Sequence, residues 1–254
     1  MSTRIRHASL FTLLFVALAL GGLTVSIVTG KEKPSQPFAQ AELFVELNDT
    51  DGDLGLHAAI DGGTWTLLEV DDPRDRPLLG IVSTGRLRSQ GLTQLAFESQ
   101  EPSFDQLDPA TFFRRFPEGV YQIEALAQGG GTFRNAVRLS HVLAAPAQST
   151  VNGQPAVPCD ASVLPVVASP VLVDWEPVTE SHPELGRMGP VTISRYQFFV
   201  QQGTTKLSMD LPPTVTEFQI PASITSAGGV WKFEIIARTS TNNNTAIESC
   251  FRMP

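Results

Sequence analysis

From residue 42 onward the chain is dominated by short runs in which apolar and polar residues alternate. In 42–47, Leu43, Val45 and Leu47 alternate with Phe44 and Glu46. Residues 64–70 follow a Gly62-Gly63 turn, and 92–99 carry Leu95 and Phe97 on one side. The clearest run is 132–143, which sets Phe133, Val137, Leu139 and Leu143 against Arg134, Arg138 and Ser140. A period of two means strands with one buried and one wet face. Residues 119–128 and 132–143 flank Gly129-Gly130-Gly131 and predict a hairpin, because glycine supplies the positive φ of a tight turn. One helix is expected over 109–116, with Asp108 as its cap, Pro109 at the first helical position and Pro117 as its stop. Residues 42–145 therefore read as a β-sandwich-like domain with one short helix.

Residues 146–160 hold three prolines, an Asn152-Gly153 turn signal and no period, and read as a linker. Beyond them, strands are predicted at 163–168, 171–175, 193–201, 206–211, 216–220, 231–239 and 245–251. Seven strands in about ninety residues is the pattern of an immunoglobulin-like sandwich. The two halves do not repeat one another. The fold class is all-β: two β-sandwich domains in tandem, 42–145 and 161–254, after an N-terminal apolar helix.

The apolar helix is a different kind of segment. Arg4 and Arg6 precede 23 uncharged residues, 8–30, whose first part, 10–20, has the make-up of a signal-peptide core. The whole run is also long enough to span a bilayer. Residues 1–30 are either a signal peptide or a membrane anchor. Gly21, Gly22, Thr24, Ser26 and Thr29 dilute the second half and favour the signal. Both readings put the remainder outside the cytoplasm. Residues 31–41 read as a polar linker with two prolines.

Composition narrows the function classes. With 42% hydrophobic and 17% charged residues, the chain is too apolar to be disordered. Its net charge of −8 argues against a nucleic-acid partner. Residues 42–150 carry 8 basic and 16 acidic side chains against 6 and 9 in 151–254, so the acidic surface belongs mostly to the first half.

The second half resembles a fibronectin type III domain. The residues that carry the likeness are 170–177 (PVLVDWEP), 193–200 (ISRYQFFV) and 231–237 (WKFEIIA). The resemblance implies a core built on Trp175, Tyr196, Trp231 and Phe233, with Ile235 and Ala237 also facing inward. Trp231 stands where the family has its corner tyrosine, which removes a hydroxyl anchor. It also implies a spacer or binding module rather than a catalyst. The integrin-binding tripeptide Arg-Gly-Asp of some members is absent here. Residues 42–145 match no family recognised from their sequence.

Several residues could carry chemistry. Asp49, Asp51 and Asp53 alternate within 48–53, and carboxylates at that spacing can converge on a hard cation such as Ca²⁺, with Asp61 as a further ligand. The spacing is not that of an EF-hand, and the alternative is an acidic solvated turn shaped by Asn48 and Gly52. Glu69, Asp71, Asp72 and Asp75, mixed with Arg74 and Arg76, are either paired glycosidase carboxylates or a solvated loop. His57 and His141 are the first half's histidines, with His141 at the core edge. His182 lies in a loop before Pro183, and no Gly-x-Ser-x-Gly occurs. Cys159 and Cys250 are the only cysteines. In an oxidising compartment they are expected to pair, which requires Cys159 to fold back along its domain. The alternatives are free thiols or an intermolecular bond. Asn48 and Asn243 each begin a glycosylation sequon.

The expectation is an exported, non-enzymatic binding or spacer protein. Its partner would be a protein or polysaccharide at the cell surface, met through loops or a sheet edge. The alternative is an exported hydrolase of an extracellular polymer, with the second half as accessory. A cleft with two carboxylates about 5–10 Å apart would mark it.

Overall fold

A computed structural model describes residues 34–254, so the segment expected as a signal peptide or anchor lies outside the described residues. The described chain is mostly β-strand, arranged as one ten-stranded and one four-stranded sheet. None of its helices is long and apolar enough to cross a membrane.

In the first half, β1 (Gln40–Asn48) turns tightly into β2 (Asp53–Asp71), followed by β3 (Pro77–Val82), α1 (Gly85–Gln90), β4 (Leu92–Glu98), α2 (Pro109–Arg115), β5 (Gly119–Ala127) and β6 (Thr132–Leu139). The expected turn at Gly62-Gly63 is a bend inside a single strand of 19 residues. The N-terminal part of β2 pairs with β1 and β4, and its C-terminal part pairs with β3 and β5. The glycines allow the bend to be covered closely. A Cβ on Gly63 would lie 2.6 Å from the Phe133 ring, which packs 5.3 Å from Phe38. The bent strand thus closes around Leu43, Val45, Leu47, Trp65, Leu68 and Tyr121. Phe38 joins that core and Gln36 bridges to Phe133, so residues 36–41 belong to the fold rather than to a linker. The capped helix α2 forms as its signals predict: the Asp108 carboxylate accepts from Thr111 N at 3.0 Å, and Phe112 is buried. Helix α1 buries no residue, and no apolar period announced it.

The second half holds β7 (Ser149–Val151), β8 (Gln154–Pro155), β9 (Val171–Trp175), β10 (Ile193–Gln202), β11 (Thr205–Leu211), β12 (Glu217–Ile220), α3 (Ala222–Thr225), β13 (Gly229–Thr239) and β14 (Asn244–Met253). Two expectations need correction. Residues 146–160 contain the β7–β8 hairpin rather than a linker, with Asn152 and Gly153 at φ 48° and 73° in its turn. Residues 163–168 form no strand, because β7 takes the place beside β9 and Val166 only bridges to Arg252. The sheet β12-β9-β7-β8 faces β11-β10-β13-β14 across the second core. Trp175, Tyr196, Phe198, Trp231, Phe233 and Phe251 fill it. Tyr196 accepts from Val178 N at 2.9 Å. The Trp231 indole donates to Gly228 O at 3.1 Å.

Strand β14 serves three neighbours. One side pairs with β13 along its length. On the other, residues 244–246 pair in parallel with 46–48 of β1, which merges strands of both halves into the ten-stranded sheet. Farther along, Cys250 N donates to Val157 O at 3.1 Å and Arg252 N to Pro165 O at 2.8 Å. That return of the chain brings Cys159 to Cys250, and the two are bonded with their Cα atoms 4.8 Å apart.

Candidate functional site

Strand alternation creates a polar face where the two halves meet. Inward side chains of β13, β14, β1 and β2 fill the cores, so Lys232, Glu234 and Arg238, Glu248, Glu42, Phe44 and Glu46, and Asp53 and His57 emerge on the opposite face of the sheet. Arg238 is buried, with its side chain 4% exposed, and donates to Glu42 at 2.6 Å. Its guanidinium sits 4.5 Å above the Phe44 ring, whose centroid is 5.3 Å from that of His57. His57 Nε2 meets Glu101 Oε1 at 2.8 Å. Glu101 reaches it by crossing Gly55, where a Cβ would come within 1.9 Å of the carboxylate. Asn244 donates to Glu46 and Lys232 to Glu248, each at 2.6 Å.

The crowding of acids shifts their titration. Burial, then Glu101, Asp51, Glu46 and Glu248, pushes Asp53 up to about 6. Burial, then Glu248 and Glu46, pushes Glu234 up to about 7 against the pull of Lys232 and Lys206. Burial opposes charge on His57, but Glu101, Glu46 and Glu98 outweigh it and raise its pKa above the ordinary histidine value. Burial also lowers Arg238, with Glu42 working in the other direction.

Of the three aspartates singled out by spacing, Asp49 and Asp51 have separate partners. Asp49 accepts from His182 Nε2 at 2.9 Å. The His182 Nδ1 already accepts backbone N–H groups from Glu184 and Leu185, which places the proton on Nε2. Asp51 accepts from Asn48 at 3.2 Å, and Asp53 turns toward the acidic face. Among the described residues, no three His, Cys, Asp or Glu side chains are grouped to hold a metal ion.

The other candidates also resolve individually. Asp72 is buried and accepts from Arg76 Nε at 2.8 Å and from the backbone N–H of Arg74 and Arg76. Burial works against its charge, but those bonds hold it below the usual carboxylate range. It shapes the loop after β2. His141 Nε2 donates to Phe116 O at 2.7 Å. Asn243, the start of a sequon, is fully buried in the folded chain. It accepts from Val45 N at 2.9 Å and donates to Ser140 O at 2.8 Å and Val142 O at 3.0 Å, tying β1 to the chain after β6. Sequence reasoning missed Arg238, the bridging role of Asn243 and the pairing of His57 with Glu101. Outward positions of β1 and β13 were readable, but their partners lie 196 to 198 residues away along the chain.

No family model and no curated protein matches this chain. Among solved structures, a region of a 1.5-MDa bacterial ice-binding adhesin retained at a host cell surface aligns at 10% identity and TM-score 0.25, over 86% of this chain and 65% of that one. A tetra-tandem repeat from the extending region of a large adhesion protein aligns at 12% identity and TM-score 0.26, over 85% and 50%. The human OSCAR ligand-binding domain aligns at 11% identity and TM-score 0.28, over 86% and 98%. The chain thus spans half to two-thirds of the adhesin structures, and scores this low fix neither a shared arrangement nor a shared activity.

Proposed function

We propose that this protein works outside the cytoplasm as a rigid, non-enzymatic binding or spacer element whose second half is a fibronectin type III-like module. The observation that carries the reading is the seam. Parallel pairing of β1 with β14 and the three hydrogen bonds of buried Asn243 make one continuous sheet of two modules. On its polar face Glu42, Glu101, Glu46 and Glu248 bond to Arg238, His57, Asn244 and Lys232, and these four pairs brace the plate. The Cys159–Cys250 bond fits an oxidising compartment. The facing order β12-β9-β7 against β11-β10-β13-β14 supports the module assignment.

The test is retention of beads coated with the full chain on immobilised cell-surface polysaccharides and proteins, with product release followed in the same wells. Retention without new reducing ends or peptide fragments is the expected result. Turnover of any polymer would overturn the reading in favour of a hydrolase.

A further inference from the structure

A second region of the surface has unlike chemistry. Between the loop after β2, helix α2 and residues 186–187 lies an open groove of about 770 Å³, lined by Arg74, Phe113, Arg114, Glu118, His141 and Arg187. The chain as a whole is acidic, at net −8, yet this groove gathers three arginines against one carboxylate. That carboxylate is committed. Glu118 accepts from Arg187 Nε at 3.0 Å and Nη2 at 3.2 Å, and from His141 N at 2.7 Å. Burial works against its charge, but Arg187 and His141 outweigh it and hold Glu118 below the usual range. The pair fixes the groove wall and neutralises the acid that would otherwise repel an anion.

The other two arginines are exposed. Arg114 donates to Thr111 Oγ1 at 2.6 Å and, among the described residues, meets no acid. Arg74 is positioned through its backbone N–H, bound to Asp72 at 2.8 Å, and among the described residues its guanidinium has no acid partner. Phe113 and His141 pack as a ring pair with centroids 4.5 Å apart. Guanidinium forks bind planar anions two bonds at a time, and aromatic rings offer a flat apolar surface beside them.

We propose that this groove binds an anionic saccharide segment, with Arg74 and Arg114 on its carboxylate or sulfate groups and the Phe113–His141 pair under the apolar face of a sugar ring. An acidic peptide would use the arginines but not the platform. The proposal deepens the surface-binding reading and rests on it.

The experiment titrates the full chain with four probes: a heparin tetrasaccharide, an oligogalacturonate tetramer, maltotetraose and a hexaglutamate peptide. Both anionic saccharides are expected to bind, the first arm carrying sulfate and the second carboxylate alone, with affinity falling as salt rises. Binding of one anionic saccharide alone supports the groove and names the preferred anion. The Arg74→Ala/Arg114→Ala double variant is expected to weaken binding at least tenfold with an unchanged melting temperature. Equal binding of maltotetraose, equal or tighter binding of hexaglutamate, or undiminished affinity in the variant overturns the proposal. If the variant's affinity is undiminished and its beads are still retained on cell-surface material, the groove falls while the surface-binding reading stands. Polymer turnover would remove that reading instead.

Discussion

The second core is sealed by strands that each stay in one sheet, and a disulfide staples its last strand to the chain that enters it. The first core has no covalent staple. It is sealed by a single bent strand, β2, that pairs with β1 and β4 before the bend and with β3 and β5 after it. The difference shows two ways of closing a sandwich: many independent strands fixed by cross-links, or one shared strand fixed by small residues at its corner. The three tryptophans separate the two experimentally, because Trp65 lies in the first core and Trp175 and Trp231 in the second.

The largest effect is expected from opening the staple. Cys159 and Cys250 enclose a loop with a sequence separation of 91. The chain-entropy relation then gives about 4–5 kcal/mol lost in Cys159→Ser/Cys250→Ser. Denaturant titration should show the Trp175 and Trp231 signals moving to lower concentration. If the Trp65 signal moves with them, the seam couples the cores into one cooperative unit.

Asn243→Ala attacks that coupling. It strands the Val45 N–H and the Ser140 and Val142 carbonyls in a buried place, which costs about 3 kcal/mol. The expected outcome is a split of one calorimetric transition into two, with Trp65 reporting one of them. A single lowered transition would show that the β1–β14 pairing is sufficient coupling by itself.

How legible each core was follows from the same contrast. Trp175, Tyr196, Trp231 and Phe233 were marked by the fibronectin type III resemblance, and all four are buried. Residues 53–61 alternate too, but Gly62-Gly63 looked like a turn, because glycine marks a turn and a strand bend alike. Only the position of Phe133, 70 residues away, distinguishes them. The candidate site was less legible. Asp49, Asp51 and Asp53 are neighbours in sequence and were grouped for that reason. His182, which takes Asp49, comes from the other half of the chain. Gly63→Ala tests the bend directly: the added Cβ must push the Phe133 ring aside, at about 2 kcal/mol of overpacking, seen in the Trp65 transition. No change would mean that the corner is set by strand pairing alone.

The smallest effect concerns charge on the outer face, and it runs toward stability. Glu234 lies on β13 directly opposite Glu248 on β14. Burial and that neighbour lift its pKa from 4.5 to about 7. A carboxyl whose folded pKa lies above its unfolded one favours folding while protonated. Its contribution is therefore complete below about pH 4.5 and is lost as pH rises through about 7. Above that range the folded protein carries an ionised, crowded carboxylate. The full shift corresponds to about 3 kcal/mol, and partial contact with water reduces it to about 1–2. Glu234→Gln removes the charge and keeps the shape. It should raise stability by that amount at pH 8, read by Trp175 and Trp231, and leave it unchanged at pH 4. A gain of equal size at both values would assign the effect to packing, and the acidic face would then be no burden on the second core.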